Sequence, residues 1–387
     1  MISFKHVIIA LLLVILSCGN SFSQNDSCNL TISLLTCGPG EELYSVFGHT
    51  AIRIKDDTNF DIIYNYGTFD FEDPDFYSKF VKGKLIYYVS AENFDQFMYE
   101  YKMENRSVIE QELNLNCKEK EKLFEALRLN SKDENKFYKY QYLFDNCSTR
   151  PRDIIAKNFD NSLKYSRIIP PVAPTFRDLI HESLDKGKLY WSAFGIDLLL
   201  ASRIDRKVSN MESMFLPDYL MKGFDSASAG DRKLVSNKRT LLRNIPKIND
   251  SNSLFTPLVF TLMVLFAGVL LTFIKKGWAQ NAVNIFDIGY FFILGLIGCF
   301  MLVMWFGTDH ELCRDNYNIL WALPTHLLMS FFILKKKVFV KKYFGFTAIL
   351  CVLFLLSLPI LPQEMNTAFL PLILLSAIRS TSRSMKK

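Results

Sequence analysis

Apolar and polar positions fall into four textures along this chain. Residues 1–23 begin with Lys5 and His6, run apolar from Val7 to Leu16 and end on Ser21-Phe22-Ser23, the pattern of a cleavable secretory signal. Leu16-Ser17-Cys18-Gly19 is also a loose lipidation box, so lipidation at Cys18 and retention as a span stand beside simple cleavage. Residues 24–224 mix alternating and amphipathic stretches, the texture of a folded exported domain, and residues 225–253 are polar and lightly basic and read as a tether. From 254 to 387 the chain is dominated by long apolar runs.

Within the exported region, Leu30–Leu35 reads as a strand, and His49–Lys55 and Phe60–Tyr66 read as a hairpin about the turn Asp56–Asn59. Lys84–Ser90 and Arg106–Leu115 are further strands, with helices at Asp75–Val81 and Asn93–Glu104. Asn116 followed by Glu119 predicts a capped helix start, as does Thr175 followed by Asp178. Tyr138–Phe144 is extended and aromatic, Arg150–Phe159 is helical, and the apolar stretches 190–201 and 213–223 complete an α+β domain.

The apolar runs Leu254–Ile274, Phe286–Phe306, Ile319–Leu334 and Phe344–Leu361 have the roughly 16–22 residues that cross a bilayer as helices. A shorter run, Thr367–Ile378, makes the count four to five. Lys275 and Lys276, Lys335–Lys337 with Lys341 and Lys342, and the C-terminal Arg379, Arg383, Lys386 and Lys387 fall on one side, with Asp309, Glu311, Asp315 and Glu364 on the other. The positive-inside rule then predicts a multi-pass membrane protein with residues 24–253 outside the cytoplasm and the C-terminus inside. The net charge of +6 resides in this membrane part, since residues 1–253 carry 33 Lys/Arg against 34 Asp/Glu; no nucleic-acid footprint remains.

Five of the eight cysteines (28, 37, 117, 147 and 313) lie outside the cytoplasm in this reading, where disulfides form. Cys28 with Cys37 is the expected pair, and the odd number leaves a free thiol. Cys147, within Asp145-Asn146-Cys147-Ser148-Thr149-Arg150-Pro151-Arg152-Asp153, has the surroundings of a reactive one. A helix N-terminus lowers a thiol's ordinary pKa of ~8.5 and supplies N–H groups for an oxyanion. Arg150 and Arg152 add positive potential and are candidate substrate-binding residues. Pro151 resists a helix opening at Asn146, so the helix is kinked there or starts nearer Thr149. The candidate base is His49, after Gly48 at the head of its strand. With the turn at Asp56–Asn59, Tyr66 faces His49 and would orient its ring; a register slip of one residue puts Asn65 there instead. Taken singly, these two residues are better explained as a buried structural thiol and a core histidine; it is their occurrence together that favours a reactive pair. His181 reads as a boundary residue of an amphipathic helix. A metal site of Cys37, His49, Cys147 and His181 has no spacing signature, and no metal or cofactor is expected.

Several phrases resemble one family. Residues 33–54 (SLLTCGPGEELYSVFGHTAIRI), 64–71 (YNYGTFDF), 144–153 (FDNCSTRPRD), 195–200 (GIDLLL), 214–220 (MFLPDYL) and 318–326 (NILWALPTH) are similar to the Lnb lipoprotein N-acyltransferase family. The resemblance implies a periplasmic papain-like (NlpC-type) domain in permuted order, histidine before cysteine, followed by an all-α multi-span membrane domain. It implies Cys147 as nucleophile and His49 as base, and leaves the third position open between Tyr66 and Asn65. The implied reaction moves an acyl chain from a membrane phospholipid, or the lipoprotein's own diacylglyceryl ester, through a thioester to the lipidated N-terminal cysteine of lipoproteins. Asn316, Asn318, Trp321, Pro324 and His326 would then shape a lipid groove, or be an interfacial aromatic and a proline kink. A cell-wall peptidase on the same dyad and a non-enzymatic lipid-binding protein are the alternatives.

Overall fold

The computed structural model describes residues 29–245 and 255–385, apart from 43, 274–276, 278 and 336. The signal segment, Cys18 and Cys28 lie outside the described residues.

The strands are β1 Thr31–Cys37, β2 His49–Lys55, β3 Asp61–Thr68, β4 Ile86–Asn93, β5 Val108–Leu113 and β6 Phe137–Lys139. Short β7 Lys164–Tyr165, β8 Ala227–Ala229 and β9 Arg232–Lys233 follow, then β10 Val235–Leu242. Seven of them form one antiparallel sheet in the order β10-β5-β1-β2-β3-β4-β6, and β7-β8-β9 form a small second one. β1 to β4 is a meander, so local connections bring the strands together, and both faces of its centre are covered. On one face Ile52, Ile54, Tyr64 and Tyr66 pack against Leu123, Leu127, Ile155 and Phe224. On the other Ala51, Ile63 and Val108 pack against Phe97 and Tyr101. Each fully buried large apolar side chain contributes about 1.5–3 kcal/mol.

The longer helices of this part are α1 Phe76–Val81, α2 Phe94–Met103, α3 Cys117–Asn130, α4 Thr149–Asn158, α5 Phe176–Lys186, α6 Tyr190–Leu199 and α7 Pro217–Ser226, with a single helical turn at Asn210–Ser213. Both expected capping boxes form, Asn116 with Glu119 on α3 and Thr175 with Asp178 on α5.

Three expectations are corrected. Residues 225–253 are not all tether: 227–242 contribute β8, β9 and β10, and β10 completes the edge of the main sheet against β5. Its mostly exposed face carries no apolar alternation, so pairing rather than pattern makes it a strand. The Cys28–Cys37 disulfide does not form, because Cys37 is a free, buried thiol, while Cys117 is disulfide-bonded. In the hairpin, Asp56 N–H donates to the carbonyl of Phe60, which draws Phe60 into the turn and starts β3 at Asp61. Ala51 therefore pairs with Asn65, one residue away from the register that would set His49 against Tyr66.

The C-terminal region is helical: α8 Pro257–Phe273, α9 Ala279–Phe306, α10 Thr325–Phe332, α11 Val338–Ser357 and α12 Leu370–Met385. Gln280–Phe306 and Val338–Ile360 are long and apolar enough to cross a membrane, and Pro257–Phe273 is a shorter apolar helix. The expected third span, Ile319–Leu334, is broken. A 3₁₀ turn at Tyr317–Leu320 leads through Pro324 to α10, whose eight residues rise only about 12 Å. Gly295 and Gly298 of α9 let this segment approach closely; a Cβ on either would lie 2.1 Å from the backbone of Leu327 or Ala322. Asp287 of α9, fully buried, is held by Arg379 and Arg383 of α12. An unpaired charge could not be held there, so the triad fixes α9 against α12.

The two regions meet at a polar seam. Asp197 on α6 is 1% exposed and receives hydrogen bonds from Arg177 (2.6 Å), His181 (2.9 Å) and Asn366 (2.7 Å). Asn318 donates to the Asp197 carbonyl and Asn316 to that of Leu198. Trp321 and His326 are buried in the helical region, Trp321 donating to Asn318 Oδ1 and His326 Nδ1 accepting from Tyr343. The five residues weighed as a lipid groove thus include four that are buried, at the seam or within the bundle.

Candidate active site

Cys147 reaches its position through the capping chemistry of its neighbour. Asn146 Oδ1 accepts the N–H groups of Ser148 and Thr149, both at 2.8 Å. Its Nδ2 donates to the carbonyls of Tyr142 (2.7 Å) and Phe215 (2.9 Å), pinning the cysteine loop to the segment before α7. Helix α4 starts at Thr149, so Pro151 lies in its first turn, where the missing N–H is one that has no intrahelical partner. The sequence conflict at Pro151 disappears. Ser148 Oγ bonds Thr50 Oγ1 at 3.1 Å, which ties the start of α4 to β2 beside His49.

Gly48, at φ +79°, makes the turn into β2 in a conformation that disfavours a Cβ, and a Cβ would come within 2.6 Å of the Cys37 carbonyl. His49 Nε2 donates to Asn65 Oδ1 at 2.9 Å, which leaves Nδ1 for the Cys147 sulfur. Asn65 in turn donates from Nδ2 to Glu92. Cysteine, histidine, asparagine and glutamate form one line.

Burial opposes the His49 imidazolium, but the neighbouring Cys147 thiolate and the hydrogen bonds His49 donates to Cys147 and Asn65 outweigh it, and the pKa is raised. For Cys147, burial opposes the thiolate; the His49 charge and hydrogen bond, the Thr50 N–H and the Ser148 hydroxyl outweigh that and lower the pKa. Both shifts run toward the thiolate–imidazolium form, the reactive form of a nucleophilic cysteine. Cys37, opposite His49 in the β1–β2 ladder, is the reverse case, pushed up to about 12 by burial. Tyr142 adds a buried hydroxyl with no hydrogen-bond partner among the described residues, its pKa raised by burial and by the charge of Cys147.

The other candidates lie elsewhere. Tyr66 points to the opposite face of β3, its hydroxyl accepting from Asn130 at 2.9 Å; it does not orient His49. Arg150 forms a bidentate pair with Asp145 and stacks on Tyr138. With Tyr66 it lines a cleft of about 420 Å³ whose lining includes neither Cys147 nor His49. Arg152 is engaged by Asp153 and the carbonyl of Met211. His181 is committed to Asp197, and among the described residues no group of three His, Cys, Asp or Glu could hold a metal. Sequence reasoning missed Glu92. Its one signal is an acidic side chain on β4 diagonal to Asn65, since Asn65 pairs with Ser90 and Ile63 with Glu92.

A sheet domain bearing a paired cysteine and histidine, docked on a bundle with apolar helices, defines a membrane protein with a folded N-terminal domain outside the bundle. Residues 20–182 match the Lnb N-terminal periplasmic domain and residues 249–387 the Lnb transmembrane domain. The chain belongs to the Lnb family, and its N-terminal part is periplasmic. No curated protein and no solved structure matches it. The first match ends within α5, so α6, which carries Asp197 into the seam, belongs to the stretch between the two family domains.

Proposed function

We propose that the chain is a thiol-dependent lipoprotein N-acyltransferase whose periplasmic domain is papain-like in permuted order, with Cys147 as nucleophile, His49 as base and Asn65 as positioning residue. The observation that carries this is the Cys147–His49–Asn65–Glu92 line, set in a domain that rests on membrane helices. The Cys147 thiolate attacks the ester carbonyl of a phospholipid, or of the lipoprotein's own diacylglyceryl group. A C–S bond forms, the ester C–O bond breaks, and the lyso-lipid alkoxide takes the proton of the His49 imidazolium. The α-amine of a lipoprotein's lipidated N-terminal cysteine then attacks the thioester; a C–N bond forms, His49 takes the amine proton, and the thiolate leaves. That amine has a reference pKa of ~7.7–8.0, so a useful fraction is neutral. The Tyr142 hydroxyl, buried and within reach of the charge of Cys147, is our candidate donor to the oxyanion of both tetrahedral intermediates. A peptidase cutting soluble wall fragments has no use for a membrane bundle.

The test compares Cys147→Ala and Cys147→Ser with the native chain, reading the acylation state of lipoproteins by mass spectrometry. N-acylation is expected from the native chain only. Continued N-acylation by Cys147→Ala overturns the nucleophile, and a native chain that cleaves muropeptides while leaving lipoproteins unchanged overturns the reaction.

A further inference from the structure

Between β3 and β4 the chain reads Phe69-Asp70-Phe71-Glu72-Asp73-Pro74-Asp75-Phe76-Tyr77-Ser78-Lys79-Phe80-Val81, an aromatic segment that the catalytic line does not use. Three of its rings face outward, Tyr77 at 81% exposed, Phe71 at 62% and Phe80 at 52%, while Phe76 is buried beneath them. A monomeric domain rarely leaves such a cluster in water.

The segment is fixed at the membrane boundary. Helix α9 ends at Phe306, and four residues on, His310 Nε2 lies 3.1 Å from the carbonyls of both Phe80 and Val81. Asp309 N–H donates to the Lys82 carbonyl, and Lys139 pairs with the Asp309 carboxylate at 2.9 Å. Gly83 (φ +67°) lies against the Asp309–His310 backbone, where a Cβ would be 3.2 Å away. Trp305 and Phe306 stack at that same helix end, a position where aromatic rings mark the interface of a bilayer. The end of α1 therefore sits level with the outer end of a spanning helix.

From there the rings run inward without a gap. Phe80 is 6.1 Å from Phe76, Phe76 5.7 Å from Phe69, Phe69 5.3 Å from Tyr87, and Tyr87 4.4 Å from Tyr140. Tyr140 and Cys147 meet at Gly67, each 3.5 Å from where a Cβ would stand. The series begins at the bilayer boundary and ends at Gly67, against which the Cys147 side chain also lies.

We infer that the aromatic segment 69–81 is the lipid-facing lip of the active site: it dips into the periplasmic leaflet and receives a phospholipid acyl chain, which the ring series leads toward Cys147. This rests on the acyl-transfer reading above and names how its donor is taken from the membrane. Apolar contact rather than headgroup charge makes the attraction, because Asp70, Glu72, Asp73 and Asp75 flank the rings and repel anionic lipid.

The test uses the full chain, carrying Cys147→Ala, in vesicles of zwitterionic phosphatidylcholine doped with phosphatidylcholine bearing a diazirine in its acyl chain. After irradiation, peptide mass spectrometry is expected to find adducts at Phe71, Tyr77 or Phe80 as well as in the spans. Adducts confined to the spans overturn the inference. In the otherwise native chain, Tyr77→Ser with Phe80→Ser changes only exposed positions and is expected to slow acyl-thioester formation from vesicles by about tenfold or more; an unaltered rate also overturns it. Adducts at Tyr77 in a chain whose native form never becomes acylated uphold the lipid contact and overturn the acyl-transfer reading instead.

Discussion

His49 and Asn65 hydrogen-bond across the β2–β3 hairpin without being opposite each other: Asn65 pairs with Ala51, and His49 lies two residues before Ala51 on the same face. The diagonal reach of 2.9 Å between Nε2 and Oδ1 holds the ring so that its other nitrogen meets the thiol. Tyr66, a neighbour in sequence, points through the sheet to Asn130.

That geometry separates two variants. Asn65→Ala is expected to lower the acylation rate by about 10–100-fold, because the imidazole loses its orientation. Tyr66→Phe is expected to leave the rate within about twofold and cost about 1 kcal/mol of stability, the worth of one hydrogen bond. Single-turnover acylation and thermal melts of the two variants decide the orienting residue.

The thiol's pKa is depressed by His49, so its thiolate persists below the ~8.5 of a free cysteine and is lost only as pH falls through the lowered value. Alkylation of Cys147 by iodoacetamide is expected to stay fast at pH 7. In His49→Ala the inflection is expected to move up, since burial is then opposed only by the Thr50 N–H and the Ser148 hydroxyl. Equal pH profiles for the two chains would dissolve the ion pair.

Asp197 joins the periplasmic domain to the bundle, and Asp197→Ala leaves Arg177 with one partner fewer in a buried site. A loss of about 3–5 kcal/mol is expected, measured as a fall in melting temperature and as new proteolytic cleavage near α6. The hydrogen bond that His181 donates to Asp197 raises the His181 pKa, with burial opposing. Its contribution is therefore complete below ~6.5 and lost as pH rises through the raised value. Burial opposes the Asp197 carboxylate, but His181, Arg177 and Asn366 lower its pKa, so its share is lost only as pH falls through that lowered value. Melting temperature is expected to step down on the alkaline side, and His181→Gln to abolish that step.

Gly48→Ala places a Cβ against the Cys37 carbonyl at positive φ. A cost of about 1–3 kcal/mol is expected, with activity falling further than stability because the next residue is His49. Melts and rates measured side by side test this.

Much of the chain was legible one segment at a time. The strand His49–Lys55, both capping boxes and most of the apolar helices follow from spacings of two to four residues, which local physics reads directly. The pairing of a cysteine at a helix start with an upstream histidine rested instead on long phrases that resemble a family. What the tertiary structure alone decided are relationships between segments. A turn one residue longer exchanged Tyr66 for Asn65, because a period-two pattern is unchanged in composition when the register slips. An exposed edge strand looked like tether until β5 supplied its hydrogen bonds. Glu92, Asp197 and the rings of 69–81 acquired meaning only from neighbours at the far end of a fold. Apolar period is a property of one segment, whereas register, burial of a charge and the level of a loop at a membrane are set by the segments packed against it.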